Sequence, residues 1–226
     1  MRQITAPQIL CFMCLLSLIC VLGVGSSYIF LGTLPLGDFR GVSLLLGGVV
    51  FVYLWAFVVY RAFLHVMPLE EGEIAPGSRA EFAAQVDTLF YLLLFYSLIR
   101  THFVPVPVMR LVYLALGARL GSNTYSAGAI LDPPLTDIGA NCIIGHDAVL
   151  FSHGIEGSSF SLSRIRIGDD VTIGAAAVVM SGVEIGSGAI VSAGAVIPKG
   201  TRIGAGEVWG GVPGRCLRSP RVDDDG

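Results

Sequence analysis

Charge is what this sequence has least of. Only 14% of its 226 residues are charged, against 54% hydrophobic ones, and the first sixty hold just Arg2, Asp38 and Arg40. A net charge of −3 supplies no electrostatic reason to bind nucleic acid. No glycine-rich nucleotide-binding motif is present, although glycine itself is abundant. Cysteine is sparse and needs no oxidising compartment: Cys11, Cys14 and Cys20 fall in an apolar run, Cys142 in a repeat and Cys216 near the end. The Cys11–Cys14 spacing reads as a helix-packing or lipid-facing pair rather than a redox or zinc site. Histidine is scarce too. The C-terminal half offers His146 and His153, short of the ligands a three-histidine zinc centre requires, so no metal is expected.

What the sequence does have is a six-residue period. Ile167, Ile173, Val179, Ile185, Val191, Ile197, Ile203 and Trp209 recur in register, with glycine following at Gly168, Gly174, Gly186, Gly204 and Gly210. Small or β-branched residues mostly stand two places earlier, such as Ile165, Val171, Ala177 and Val183. A hexad period fits neither a helix nor a simple strand alternation; it predicts a parallel β-helix, each unit a short strand and a turn. The pattern also runs through Ile138, Ile144 and Leu150. The step from Leu150 to Ile167 is not a multiple of six, so His153 to Arg164 is expected to project as a loop, where repeat folds place their sites.

These repeats, the interrupting loop and the ending Trp209-Gly-Gly-Val-Pro-Gly-Arg-Cys-Leu-Arg218 resemble the hexapeptide-repeat acyltransferases, over roughly Leu116 to Arg218. The resemblance implies a left-handed parallel β-helix, acetyl-CoA or another acyl-CoA as co-substrate, and a homotrimer with donor grooves between neighbouring prisms. It implies His153 as catalytic base, and donor contacts at the backbone amides of Ala175 and Ala193. Lys199 would meet the CoA phosphates, and Arg218 matches the basic residue of the closing motif. Pro198 stands where the family often has a threonine. The stretch Ser152 to Ile167 also looks like the hexapeptide portion of membrane-bound poly-amino-acid synthetases, which keeps an amine acceptor or a non-catalytic trimeric scaffold as alternatives. A zinc carbonic anhydrase built on the same helix lacks its third histidine.

The N-terminal part reads as membrane protein. Ile9 to Leu36 contains no charge, and Val42 to Leu64 is broken only by Arg61. About 20 apolar residues cross a bilayer as a helix, so residues 1–66 are expected to form a transmembrane hairpin turning at Pro35–Gly41. A cleaved signal peptide ending near Gly25–Ser27 is the competing reading. Arginines after the second run place both ends, and the C-terminal domain, on the cytoplasmic side of the cytoplasmic membrane. Residues 67–115 read as a polar linker followed by helices. Ser78 and Glu81 form a capping box, and the helix it opens has an eleven-residue apolar core, Leu89–Ile99, too short to span. That helix and Val104–Leu116 are expected to be interfacial, or else to pack on the β-helix. Residues 116–218 are the β-helix, and 219–226 a disordered acidic tail.

Acyl transfer from a thioester needs a base, donors for the oxyanion and a groove for the pantetheine arm. His153 suits the first, since imidazole titrates near neutrality. Glu156 is the candidate to orient it or to contact the acceptor. His146 follows Gly145 and should point outward, in a surface or inter-subunit role. The expectation is a membrane-anchored O-acetyltransferase acting on a small-molecule, lipid-linked or glycan acceptor.

Overall fold

The structure, a computed structural model, describes residues 3–101 and 103–220. Arg2 and the acidic run of the expected tail, 221–226, lie outside the described residues. Two compact units divide the chain: one comprises Arg2–Pro68 and Arg79–Leu94, the other Leu69–Ser78 and the residues from Phe95 onward. The expected segment 67–115 is thereby shared between the two units.

In the helical unit, Thr5 and Gln8 cap each other reciprocally and start α1, Ala6–Leu31. A single 3-10 turn, Gly37–Phe39, leads into α2, Arg40–Val66. The two helices meet across small residues: a Cβ on Gly23 would lie 2.5 Å from Val52, and one on Gly47 2.2 Å from Leu31. Close backbone approach of this kind is how apolar helices associate without a hydrophobic driving force. Trp55 Nε1 donates to Ser26 Oγ at 3.0 Å, and Ser27 Oγ to the Leu44 carbonyl at 2.8 Å.

Directly after Ser78, α3 (Arg79–Phe90) returns antiparallel to α2. Successive contacts mark its course: Arg79 with the Val66 carbonyl, Asp87 with the Tyr60 hydroxyl at 2.6 Å, and Leu94 with the Tyr53 hydroxyl. Phe90 closes the unit against Phe12, Tyr60 and Phe63. The helix continues through a π-helical stretch, Tyr91–Phe95, into α4, Tyr96–Arg100. By length and hydropathy Ala6–Leu31, Gly37–Val66 and Arg79–Arg100 are each capable of crossing a membrane. This corrects the expected shortness of the third segment. The apolar residues do not begin at Leu89: Phe82, Ala83, Ala84 and Val86 precede them within the same helix of 22 residues.

The second unit is a parallel β-helix. Three sheets form its walls, with five, six and four strands. The registers Ile167↔Ile185, Ile173↔Val191 and Val179↔Ile197 set each coil at eighteen residues. The hexad residues from Ile167 to Ile203 and the small residues two places before them, Ile165 to Ala195, are buried and fill the axis. Trp209 departs from this. It is half-exposed at the end of the stack, its indole donating to Glu207. Glycine after the apolar residue is dictated by stacking: a Cβ on Gly174 would sit 2.3 Å from the Ala193 nitrogen one coil on. Another corner position is left-handed, from Gly182 to Gly206, and even Ala176 adopts φ 56° there.

The N-terminal end is capped by α5, Val106–Leu116, which packs on the strands of the first coil. Tyr113 is buried there, its hydroxyl bonded to the Gly128 carbonyl at 2.9 Å, while Arg110 donates to the carbonyls of Gly121 and Thr124. At the other end Arg215–Arg218 folds back antiparallel on Val208–Gly210.

Candidate active site

The projecting loop is a β-hairpin, His153–Glu156 paired with Ser159–Leu162 and turning through Gly157 at φ 61°. It leaves the β-helix at one corner and returns at Ile165, so that Ile138 pairs with Ile167 across 29 residues instead of eighteen. The linker supplies a third strand: Gly72 and Glu73 pair antiparallel with Leu162 and Ser161, and Ile74 is buried against them.

The corner that carries the hairpin is built by register. Ile130 pairs with Leu150, Leu150 with Val179 and Val179 with Ile197, which stacks Asp132, Ser152, Ser181 and Lys199 on successive coils. Asp132 Oδ2 thus receives the Ser152 N–H at 2.6 Å, the His153 N–H at 3.3 Å and His153 Nδ1 at 2.8 Å. A carboxylate only accepts hydrogen bonds, so this contact selects the tautomer with the proton on Nδ1. The Asp132 side chain is 12% exposed and that of His153 36%, so the pair is partly desolvated and the imidazole is the more exposed member. Phe151 flanks the imidazole at a ring-centroid distance of 5.4 Å.

Asp132 therefore takes the place in which Glu156 was expected to orient the imidazole. Glu156 is drawn away at the far end of its strand, paired with Lys199 Nζ at 3.1 Å. The same ammonium donates to Ser161 Oγ at 3.2 Å and lies beside Gly154. Sequence reasoning missed Asp132 because the first coils are irregular. The step from Ile130 to Leu150 is twenty residues, with a 3-10 turn Pro133–Leu135 inserted, so counting hexads does not reveal which residue lies beneath His153.

His146, Ala175 and Ala193 share a different corner, aligned by Ile144↔Ile173↔Val191. The carbonyls of His146 and Ala175 accept from Ala176 and Gly194, whereas the N–H groups of the exposed Ala175 and Ala193 have no backbone acceptor among the described residues. His146 is exposed and lies 3.3 Å from the Asp147 carboxylate. Arg218 ends the return strand, exposed. Cys142 is buried, which pushes its thiol up and keeps it protonated. Among the described residues no group of three His, Cys, Asp or Glu is placed to hold a metal.

Residues 164–199 match the family model for the bacterial transferase hexapeptide (six repeats). No curated protein matches the chain. Among solved structures, a hexapeptide-repeat-containing acetyltransferase from Vibrio cholerae is 27% identical over 46% of this chain and 64% of its own, with a TM-score of 0.43. This chain thus spans less than two thirds of that protein. A galactoside acetyltransferase in complex with coenzyme A is 23% identical over 58% of this chain and 80% of its own, TM-score 0.46. A serine acetyltransferase from Brucella abortus is 19% identical over 89% and 68%, TM-score 0.40. The segment that matches the family model runs from Arg164, at the foot of the hairpin, to Lys199, and bears the hexapeptide repeat of that transferase family.

Proposed function

We propose that this protein is a membrane-anchored, CoA-dependent acyltransferase that moves an acetyl or other short acyl group to a hydroxyl of an acceptor delivered at the membrane. The observation that carries the reading is the Asp132–His153 pair at the foot of a hairpin that interrupts hexapeptide coils. With Nδ1–H held by Asp132, Nε2 takes the proton of the acceptor hydroxyl as its oxygen attacks the thioester carbonyl. The tetrahedral oxyanion collapses, the carbon–sulfur bond breaks, and the imidazolium returns the proton to the leaving CoA sulfur. Asp132 stabilises the imidazolium between these steps. The amides of Ala175 and Ala193, aligned along one edge, suit the donor's carbonyls, and Lys199 and Arg218 its phosphates.

Base and amides occupy different corners of one prism, so a groove holding both needs a second copy. That supports a homotrimer of left-handed β-helices, each donor groove shared between neighbours. With α1 and α2 as the two spans, the chain's start and the catalytic domain lie on the cytoplasmic side with acyl-CoA; the helix Arg79–Arg100, though long and apolar enough to cross, must then lie against α1 and α2 without crossing. The test is His153→Ala in the full detergent-solubilised protein. Acyl transfer from acetyl-CoA to a membrane extract should fall at least about 10²-fold while CoA affinity by calorimetry stays unchanged. An undiminished rate refutes the assignment of the base, and absence of CoA binding in the parent refutes the enzyme.

A further inference from the structure

We propose that Arg164 is a positioning residue for the Asp132–His153 pair, and that Glu71, from the linker between α2 and α3, fixes it in that role. The inference rests on the reading of His153 as the base. Arg164 stands two residues past Leu162, the cross-strand partner of His153, at the point where the hairpin rejoins the coil. Its side chain is 19% exposed and reaches three groups on two segments that are remote in sequence. Nε donates to Glu71 Oε1 at 3.1 Å, and a terminal nitrogen to the Pro134 carbonyl at 3.1 Å and to Asp137 Oδ1 at 3.0 Å. Pro134 belongs to the 3-10 turn that begins one residue after Asp132. One planar group therefore joins the turn carrying the carboxylate to the foot of the hairpin carrying the imidazole.

Glu71 closes the brace from outside. Its second oxygen accepts the Arg164 backbone N–H at 3.1 Å, so backbone and side chain are gripped together. The strand that follows Glu71 holds the hairpin through Gly72↔Leu162 and Glu73↔Ser161, through the Ile74 N–H to the Phe160 carbonyl, and through Ser159 Oγ to Glu73. Burial works against ionising Glu71, but the hydrogen bonds from Arg164 and the charges of Arg164 and Arg166 outweigh it and hold the carboxyl below its usual range. A lysine offers a point charge where this site uses a rigid fork, so it does not replace Arg164. A donor displaced by about an ångström costs on the order of 10²-fold in rate, which is the sensitivity such a brace guards against.

The test uses the full chain in detergent, labelled with 15N-histidine, the His153 signals being assigned by their loss in His153→Gln. The parent should show a single tautomer with a hydrogen-bonded proton on Nδ1. Arg164→Ala and Arg164→Lys should convert this to the mixed tautomers of a solvated imidazole. The same variants should lower kcat for CoA release from acetyl-CoA, with membrane extract as acceptor, by about 10- to 10²-fold at unchanged KM for the donor. Millimolar guanidinium should restore kcat in Arg164→Ala, where sodium at equal ionic strength does not. Glu71→Gln, nearly isosteric, should reproduce the effect more weakly and decides the matter if the Arg164 variants do not fold. Arg164 or Glu71 variants that are less heat-stable yet keep the Nδ1–H signature and the parent kcat overturn the proposal. Should His153→Ala retain full turnover, the base assignment falls and the brace with it; should His153→Ala be inactive while the brace variants match the parent, only the brace falls.

Discussion

Replacing Asp132 by asparagine separates its structural from its chemical role, because all its contacts at the site go to one oxygen. An asparagine can set its amide oxygen where Oδ2 stands and keep the Ser152 N–H, the His153 N–H and the imidazole Nδ1–H paired. Those bonds weaken from charge-assisted to neutral, roughly halving each, but a neutral amide costs less to bury than a carboxylate, so the fold should lose only about 1–2 kcal/mol. The rate is a different matter. When His153 becomes an imidazolium, a carboxylate about 4 Å from the centre of charge is worth about 4 kcal/mol at an effective dielectric near 20. The imidazole's partial exposure screens this to about 2–3 kcal/mol, or roughly 10²-fold in kcat. Asp132→Ala, in contrast, strips the buried Ser152 N–H of its acceptor and should cost about 2–4 kcal/mol of stability in addition. Thermal midpoints in detergent, alongside kcat and KM with acetyl-CoA and membrane extract, distinguish the two. An Asp132→Asn protein within threefold of the parent kcat would show that the carboxylate does not stabilise the imidazolium, and the general-base scheme would lose its support.

The acid sensitivity of the strap follows from Glu71. Its folded pKa is depressed, so its contribution is complete above the unfolded value and is lost as pH falls through the folded one. The groups facing it are Arg164 and Arg166, which are shared with Asp137 and Glu184. The gap in thermal midpoint between parent and Glu71→Gln should therefore be full near pH 6, begin to narrow as pH falls past the unfolded glutamate value of about 4.3, and vanish below the folded one; a gap that does not narrow in acid contradicts the pairing. Two glycines should respond oppositely to alanine. In Gly145→Ala the new Cβ meets the Ala175 nitrogen at 2.5 Å, backbone that cannot yield, so about 1–3 kcal/mol and most CoA affinity should be lost. In Gly154→Ala the clash is with the mobile ends of Ser161 and Lys199, and calorimetry should find the fold intact with only donor affinity altered.

The hexad period made the β-helix legible because inward burial repeats with the coil. Ile167 to Ile203 needed only their spacing, and the failure of spacing between Leu150 and Ile167 located the hairpin. The helices of residues 6–66 were equally plain from their lack of charge. What the sequence hid was lateral. Asp132 precedes His153 by an irregular step, and nothing local marks it as the residue beneath the imidazole. Glu156, three residues from His153, was the obvious orienting acid. In a strand, however, a residue three places on faces the other side of the ribbon, and there it found Lys199. The linker read as polar turn chemistry because a two-residue strand has no periodicity to detect. Its pairing with Ser161 and Leu162 exists only once the hairpin is in place.

A repeat fold is nearly one-dimensional, each coil touching only its neighbours, so periodic residues cannot by themselves gather a site. In this chain the imidazole, the carboxylate bonded to it and the residues proposed to brace the pair all stand where the period breaks. Asp132 is at an inserted turn, His153 and Arg164 are at the two feet of the hairpin, and Glu71 lies outside the repeats altogether. The unbroken coils do the complementary work. From Ile167 to Ile203 they present a straight edge of backbone amides whose positions are fixed by stacking rather than by side chains. In the proposed reaction the proton-handling half falls to insertions, which a chain can vary to suit its acceptor, and the donor half to the repeat, which it cannot vary without breaking the stack. Changes confined to residues 69–78 and 153–164 should therefore alter acceptor choice and rate while leaving CoA binding where the coils put it.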